Sequence, residues 1–219
     1  MPSRYQAQEV NRLTLAYFII SGLDVLGRLE KVNREKTIDW IYSLQVLPDK
    51  EDPSKDFQNC GFRGSSFIGV PYNPKCEPTE MHQHDQGHLA MNYCALALLA
   101  ILGDDYSRVN KDAIVKAMRT MQLADGSFAC VAGGAENDMR FVYCACVVSY
   151  MLNDWRGIDV EKATSYILSA QNYDCAIGQG GTRESHGGST FCALASLSLM
   201  GTLDRLPNKE GLLQWMIER

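Results

Sequence analysis

The feature that most constrains this chain is a repeat. Three segments, WIYSLQ (Trp40 to Gln45), AMRTMQ (Ala117 to Gln122) and YILSAQ (Tyr166 to Gln171), each read as the end of an amphipathic helix closing on a glutamine. DGSF follows the second, a glycine-rich stretch follows the third, and CGFRGSS follows the first at longer range. The last two glutamines are 49 residues apart, and one more interval falls just past Arg219, where the terminal WMIER (215–219) matches the approach to a further glutamine. Self-similarity at this period is the mark of stacked supersecondary units.

A second set of segments interleaves with the first. RLTLAYFIISGLDVLG ends near Gly27, HLAMNYCALALLAILG at Gly103, RFVYCACVVSYMLN at Asn153 and STFCALASLSLMG at Gly201. Glycine or asparagine stops a helix there because either tolerates a left-handed backbone. The glutamine-ended helices carry charges such as Lys111, Asp112, Lys116 and Arg119, whereas Leu89 to Leu102 and Ser189 to Met200 carry none. A helix apolar all round is expected to be buried on all sides. Two layers satisfy both sets, with charged helices outside and uncharged ones inside around a central cavity. Helical hairpins repeated in this way form solenoids or closed rings. The expectation is therefore all-α, one incomplete α/α toroid domain over residues 1–219. Pro48 to Gln86, with five prolines, reads as an irregular insertion covering one end, and strand signals are confined to Phe67 to Val70.

Composition removes several function classes. A net charge of -5 and no basic stripe argue against nucleic-acid binding, which needs clustered Lys and Arg. The apolar run Leu89 to Leu102 is too short for a membrane span and contains Asn92. Of eight cysteines, Cys94, Cys144, Cys146 and Cys192 lie in apolar helical stretches, where free thiols pack as small hydrophobes. With no signal peptide ahead of them, the reading is reduced thiols and a cytoplasmic location.

Polar residues at the starts of inner helices carry the chemistry. Arg140, in ENDMRFVYCA, is either a surface partner of Glu136 or Asp138, or a cavity-facing cation for a phosphate or carboxylate. One repeat later, in ESHGGSTF, Gly187 and Gly188 let a ligand approach the backbone, the helix start offers unpaired N–H groups to an anion, and His186 is placed to donate to a phosphate oxygen. The bland reading is a loop whose glycines serve the turn. His82, His84, Asp85 and His88 look metal-like, but Asp85 reads better as an N-cap and His88 as a helix-start residue. Thr14 reads by default as a buried threonine bonded to its own backbone.

Together, RLTLAYF, IDWIYSLQ, CGFRGSS, GHLAMNY, ILGDD, QLADGSF, ENDMRFVYCA and ESHGGSTFC resemble the beta subunits of type I geranylgeranyltransferases, within the protein prenyltransferase beta-subunit family. The matches extend over nearly the whole chain, in the family's order. The resemblance implies a toroid of helical hairpins whose cavity accepts geranylgeranyl diphosphate, an obligate alpha subunit, and transfer of the lipid to the cysteine of a CaaX-terminated protein. It assigns His186, Gly187 and Gly188 to the diphosphate, Arg140 to the side of the isoprenoid with Tyr143 and Cys192 in the same substrate site, and Thr14 to the space left for a longer chain. It also implies zinc, whose aspartate, cysteine and histidine ligands lie beyond the end of this chain, as do an arginine and a lysine that complete the diphosphate site. No metal ligand and no catalytic residue is therefore assigned here, and the isolated polypeptide is expected to be inactive. The alternatives are a farnesyl-type beta subunit or a non-catalytic helical-repeat module. A terpene cyclase lacks support because no DxDD-like motif occurs, and GDD at Gly103 to Asp105 fits a turn.

Overall fold

The computed structural model describes residues 3–66, 72–78 and 85–218. Among these residues it contains eight α-helices and one short hairpin, so the chain is all-α as expected. The strand signal at Phe67 to Val70 lies outside the described residues. The observed strands, β1 (Gln45–Val46) and β2 (Gly61–Phe62), are antiparallel, with Gln45 opposite Phe62 and Val46 opposite Gly61. The chain gathers into two compact units, Met1–Ala117 and Met118–Arg219.

In the first unit, α1 (Arg12–Val25) packs on α3 (Leu89–Ile101), and α2 (Arg34–Tyr42) lies against α3 as well. The Tyr17 ring meets Tyr93 edge-on at 5.3 Å and the two hydroxyls share a 2.6 Å hydrogen bond. Gly103, at φ 74, ends α3. The guanidinium of Arg34 donates to the carbonyl of Leu102, satisfying a terminal acceptor with a cation at the negative end of the helix dipole. Asp104 accepts from the Tyr42 hydroxyl at 2.5 Å, so the GDD segment is a turn locked to α2.

The start of α3 corrects one expectation. Asp85 is not its N-cap; His88 is, with Nδ1 accepting from the Ala90 N–H at 3.1 Å. Asp85 instead forms a buried ion pair with Arg63, which also donates to the Ser43 carbonyl. The preceding loop runs alongside β2, with Gly87 N–H donating to Asn59 O at 2.7 Å and His88 N–H to Phe62 O at 2.9 Å, so the helix begins three residues later.

In the second unit, α5 (Met139–Leu152) packs on α7 (Gly187–Leu199) through an edge-on contact of Tyr143 and Phe191 at 5.5 Å. Helices α6 (Val160–Ser169) and α8 (Lys209–Ile217) are the more polar partners. Helix α4 (Lys111–Met121) carries the boundary between the units. Asn153, at φ 52, and Gly201, at φ 70, end α5 and α7 where the sequence predicted stops.

Of the two runs without charge, the expectation of burial on all sides holds for most of α3 and fails for α7, while α1 and α5, which each carry charge, are also partly exposed, α5 at Arg140 and Tyr150. Phe18, Ile19, Val25 and Leu26 of α1 and Phe191 of α7 are largely exposed. Within its own unit α7 packs chiefly on α5, and its other flank, with Trp215 and Met216 of α8, bounds an apolar cleft of about 590 Å³.

The structure also explains the repeated glutamines. Gln45 accepts from the Asn110 N–H at 2.8 Å and donates to Arg108 O at 3.1 Å. Gln122 accepts from the Asp159 N–H at 2.7 Å and donates to Asp159 O at 3.0 Å. Asn110 and Asp159 are the residues that cap α4 and α6, as their side chains accept from Ala113 N–H and Lys162 N–H. In these two joints one amide side chain thus clamps an outer helix to the entry of the next.

Candidate functional site

Three inner helices open in the same way. His88, Asp138 and His186 each stand just before the helix, in extended backbone, and each side chain accepts the N–H of the residue two places on. A cap satisfies one of the orphan donors at a helix start. At α7 the Gly188 N–H donates to His186 Nδ1 at 3.0 Å. In the neutral ring this bond leaves the proton on Nε2, a donor with no protein partner among the described residues. His186 is exposed and borders a polar cleft of about 370 Å³ with Gln179, Arg183, Glu184 and Ser185.

Gly187 and Gly188 are unusual for what does not require them. Neither has a positive φ, and a Cβ on Gly187 would meet nothing within 4 Å. A Cβ on Gly188 would meet the edge of the His186 ring at 2.9 Å, yet Ala90 occupies the equivalent place beneath the His88 cap of α3. The sister positions are Leu89 and Ala90 in α3 and Met139 and Arg140 in α5. Glycine in a helix costs up to about 1 kcal/mol relative to alanine, so the pair lowers the stability of α7, with no packing demand behind Gly187 and only the His186 ring against Gly188. What it provides is a bare turn of amide donors beside the free Nε2–H.

Arg140 is held by two carboxylates. Its Nη2 donates to Asp138 Oδ2 at 2.6 Å and to Glu136 Oε1 at 3.1 Å, and its Nε bonds to Asp138 at 3.0 Å. The Asp138 carboxylate, by hydrogen bond first and by charge, holds the guanidinium above its usual range. The side chain is 56% exposed, so the surface pairing considered from sequence is the arrangement present. Two acids outweigh one base here, which makes the immediate surroundings of Arg140 a poor cradle for a diphosphate. Its Nη1 has no protein partner among the described residues.

Cys192 and Tyr143 lie on the same two helices. Cys192 is buried, and burial foremost pushes its thiol up to about 11, with the Asp138 carboxylate adding to the shift and Arg140 opposing it. It is a neutral, small, apolar group at ordinary pH. Tyr143 is half-buried against Phe191. His186, Gly187, Gly188, Arg140, Tyr143 and Cys192 therefore all belong to α5, α7 and their leading turns in one unit. Thr14 belongs to the other, where its hydroxyl reaches Met91 Sδ at 3.4 Å and accepts a long contact from Cys94 Sγ at 3.9 Å. That replaces the expected bond to its own backbone.

His82 and His84 lie outside the described residues. Among the described residues no three His, Cys, Asp or Glu side chains gather as a metal site. The residue that sequence reasoning undervalued is Asp138, which caps α5 and clasps Arg140. The signal was available in register: His88, Asp138 and His186 each stand six places before Cys94, Cys144 and Cys192.

Comparison with known proteins adds a family to this geometry. A family model for the prenyltransferase alpha-alpha toroid domain matches residues 1–219. All of the chain is 40% identical to the geranylgeranyl transferase type-1 subunit beta of Dictyostelium discoideum and 42% identical to that of Arabidopsis thaliana, covering 64% and 60% of those proteins. A protein farnesyltransferase subunit beta from Pisum sativum is 31% identical over 97% of the chain, which covers 44% of it. A solved structure, Candida albicans protein geranylgeranyltransferase-I complexed with GGPP, superposes with a TM-score of 0.79 at 25% identity, over all of this chain and 60% of that one. The chain thus spans about three fifths of the length of the geranylgeranyl transferase relatives it matches.

Proposed function

The chain belongs to the prenyltransferase alpha-alpha toroid family, and on that premise we propose that it serves as a beta subunit of a type I protein geranylgeranyltransferase. Residues 1–219 then act as one domain of that kind, cytoplasmic and paired with an alpha subunit. In the reaction, the cysteine sulfur of a CaaX-terminated protein attacks C1 of geranylgeranyl diphosphate. The S–C1 bond forms as the C1–O bond breaks, and diphosphate leaves with the bonding pair.

The observation that carries this reading is the unforced Gly187–Gly188 pair beside His186. Negative charge grows on the leaving diphosphate, and fixed N–H donors aimed at it stabilise the transition state more than the ground state. His186 Nε2–H and the first amides of α7 supply such donors. The aliphatic stem of Arg140, the Tyr143 and Phe191 rings and the neutral Cys192 thiol supply apolar surface for the isoprenoid. The type I identities of 40% and 42% against 31% for the farnesyl-type relative favour the longer lipid.

Zinc in such an enzyme lowers the pKa of the attacking thiol. The described residues do not fit a zinc site. We assign this chain the lipid-diphosphate part of the site.

Titration of the 219-residue chain with geranylgeranyl diphosphate, alone and with the double substitution Gly187→Ala and Gly188→Ala, tests the reading. The variant is expected to melt higher and to bind at least about tenfold more weakly. A folded chain that binds no diphosphate lipid, or a stabilised variant with unchanged affinity, overturns it. The apolar cleft between α7 and α8 favours a second reading, a helical-repeat interaction module. Monodisperse behaviour without an alpha subunit, together with no lipid binding, is its signature.

A further inference from the structure

The third glutamine joint differs from the first two. Gln171 donates to Cys175 O at 2.8 Å, inside its own turn, and among the described residues it makes no bond to α8. Asn208, which caps α8 as Asp159 caps α6, has a left-handed backbone at φ 46, whereas Asp159 is extended at φ -83. The repeat therefore predicts a clamp from Gln171 to Asn208 that the fold does not make.

The cause lies four residues after each glutamine. In the second joint that place is Gly126, at φ 93, and the backbone of α6 sits flush upon it: a Cβ there would fall 2.1 Å from Lys162 O. In the third joint the same place is Cys175, at φ 73, a left-handed conformation that glycine adopts freely and a side chain resists. Its Sγ projects at α8, accepting from Asn208 Nδ2 at 3.0 Å. The helix meets it with Gly211, where a Cβ would fall 2.6 Å from that sulfur. Lys162 and Gly211 are both three residues past their caps, so bulk and absence of bulk have changed sides between the joints.

We propose that the Cys175 side chain is a spacer that seats α8 away from Gln171, with Gly211 hollowed out to receive it, so that this joint is held by the thiol and by the Trp215 Nε1–H bond to Asp174 at 2.9 Å rather than by the amide clamp. The last outer helix is thereby freed from the rigid link that fixes α4 and α6, and its position depends on one side chain.

Hydrogen exchange of backbone amides in the 219-residue chain tests this. In the natural sequence the Asp159 amide, clamped by Gln122, is expected to exchange about tenfold or more slowly than the Asn208 amide. Cys175→Gly removes both spacer and strain, and Cys175→Ala removes the sulfur while keeping the Cβ. Cys175→Gly is expected to slow Asn208 exchange about tenfold, Cys175→Ala less, and adding Gln171→Ala to abolish the gain. Slow exchange at Asp159 in each variant reports that the unit is folded. Asn208 exchange that stays fast in Cys175→Gly while Asp159 stays protected overturns the proposal. So does a gain that survives Gln171→Ala.

Discussion

His88 and His186 occupy the same place in sister helices and make the same bond, yet they stand at opposite kinds of entrance. His88 is half-buried, its own amide tied to β2, and Gly87 before it has no room for a methyl because Cys60 O lies 2.7 Å from where a Cβ would be. The Arg63–Asp85 ion pair closes that loop into the interior. His186 is open, followed by Gly187, which no neighbour demands, and by Gly188, whose Cβ would meet only the His186 ring. One cap thus finishes a structural joint and the other presents donors. The lesson is that a glycine is read by its surroundings: Gly87 is required by packing, whereas Gly187 has no neighbour within 4 Å that requires it.

The comparison can be broken most forcefully at the α3 entrance. Asp85→Ala leaves Arg63 charged and buried without its partner, and the loss expected is about 3–5 kcal/mol. It is read as an earlier urea transition reported by Trp40, in the first unit. At the α7 entrance the corresponding effect falls on ligand rather than fold. His186→Asn keeps a good capping residue but removes the ring N–H, so geranylgeranyl diphosphate binding by the chain is expected to weaken by about 1.5–3 kcal/mol while the melting temperature holds. A fall in melting temperature with unaltered affinity would make His186 the equal of His88. His186→Ala, which loses the cap as well, is expected to cost a further ~1 kcal/mol in stability.

The two entrances share a thiol six residues on, and pH probes both. Burial raises Cys94 and Cys192 from a usual value of 9.0 to about 11 each. A group whose folded pKa is raised stabilises fully below the unfolded value, and that stability is lost as pH climbs through the folded one. Stability is therefore expected to fall between pH 9 and 11, and alanine at both positions to flatten that part of the profile in denaturation measured across this range. The smallest effect is at Arg140. Its guanidinium is more than half exposed, and Asp138 keeps its cap bond to the backbone N–H of residue 140, so Arg140→Gln is expected to change stability by about 1 kcal/mol or less.

Much of the fold was legible because burial leaves periodic marks. Helix stops at Gly103, Asn153 and Gly201 followed from the left-handed backbone they permit. The outer charged helices and the largely buried α3 followed from where charge is tolerated. Partners across space were less legible. Asp85 looked like a cap because it precedes a helix, and only the return of the chain along β2 gives it to Arg63. Thr14 looked self-bonded, and only the approach of α3 gives it Met91. At the candidate site, His186 and its glycines were readable from the bareness of HGG at a helix start, while the grip of Asp138 on Arg140 required the side chains in place.

Sequence alone determined that this is an all-helical repeat of alternating polar and largely uncharged helices with a glycine-led start at α7. Those properties depend on local backbone preference and on hydrophobic periodicity, both written residue by residue. Only the tertiary structure decided which glutamines clamp, which glycines are forced and which uncharged flanks remain exposed. Each of those depends on the distance to an atom far along the chain, as where the sulfur of Cys175 stands between α8 and the glutamine that the repeat would have joined to it.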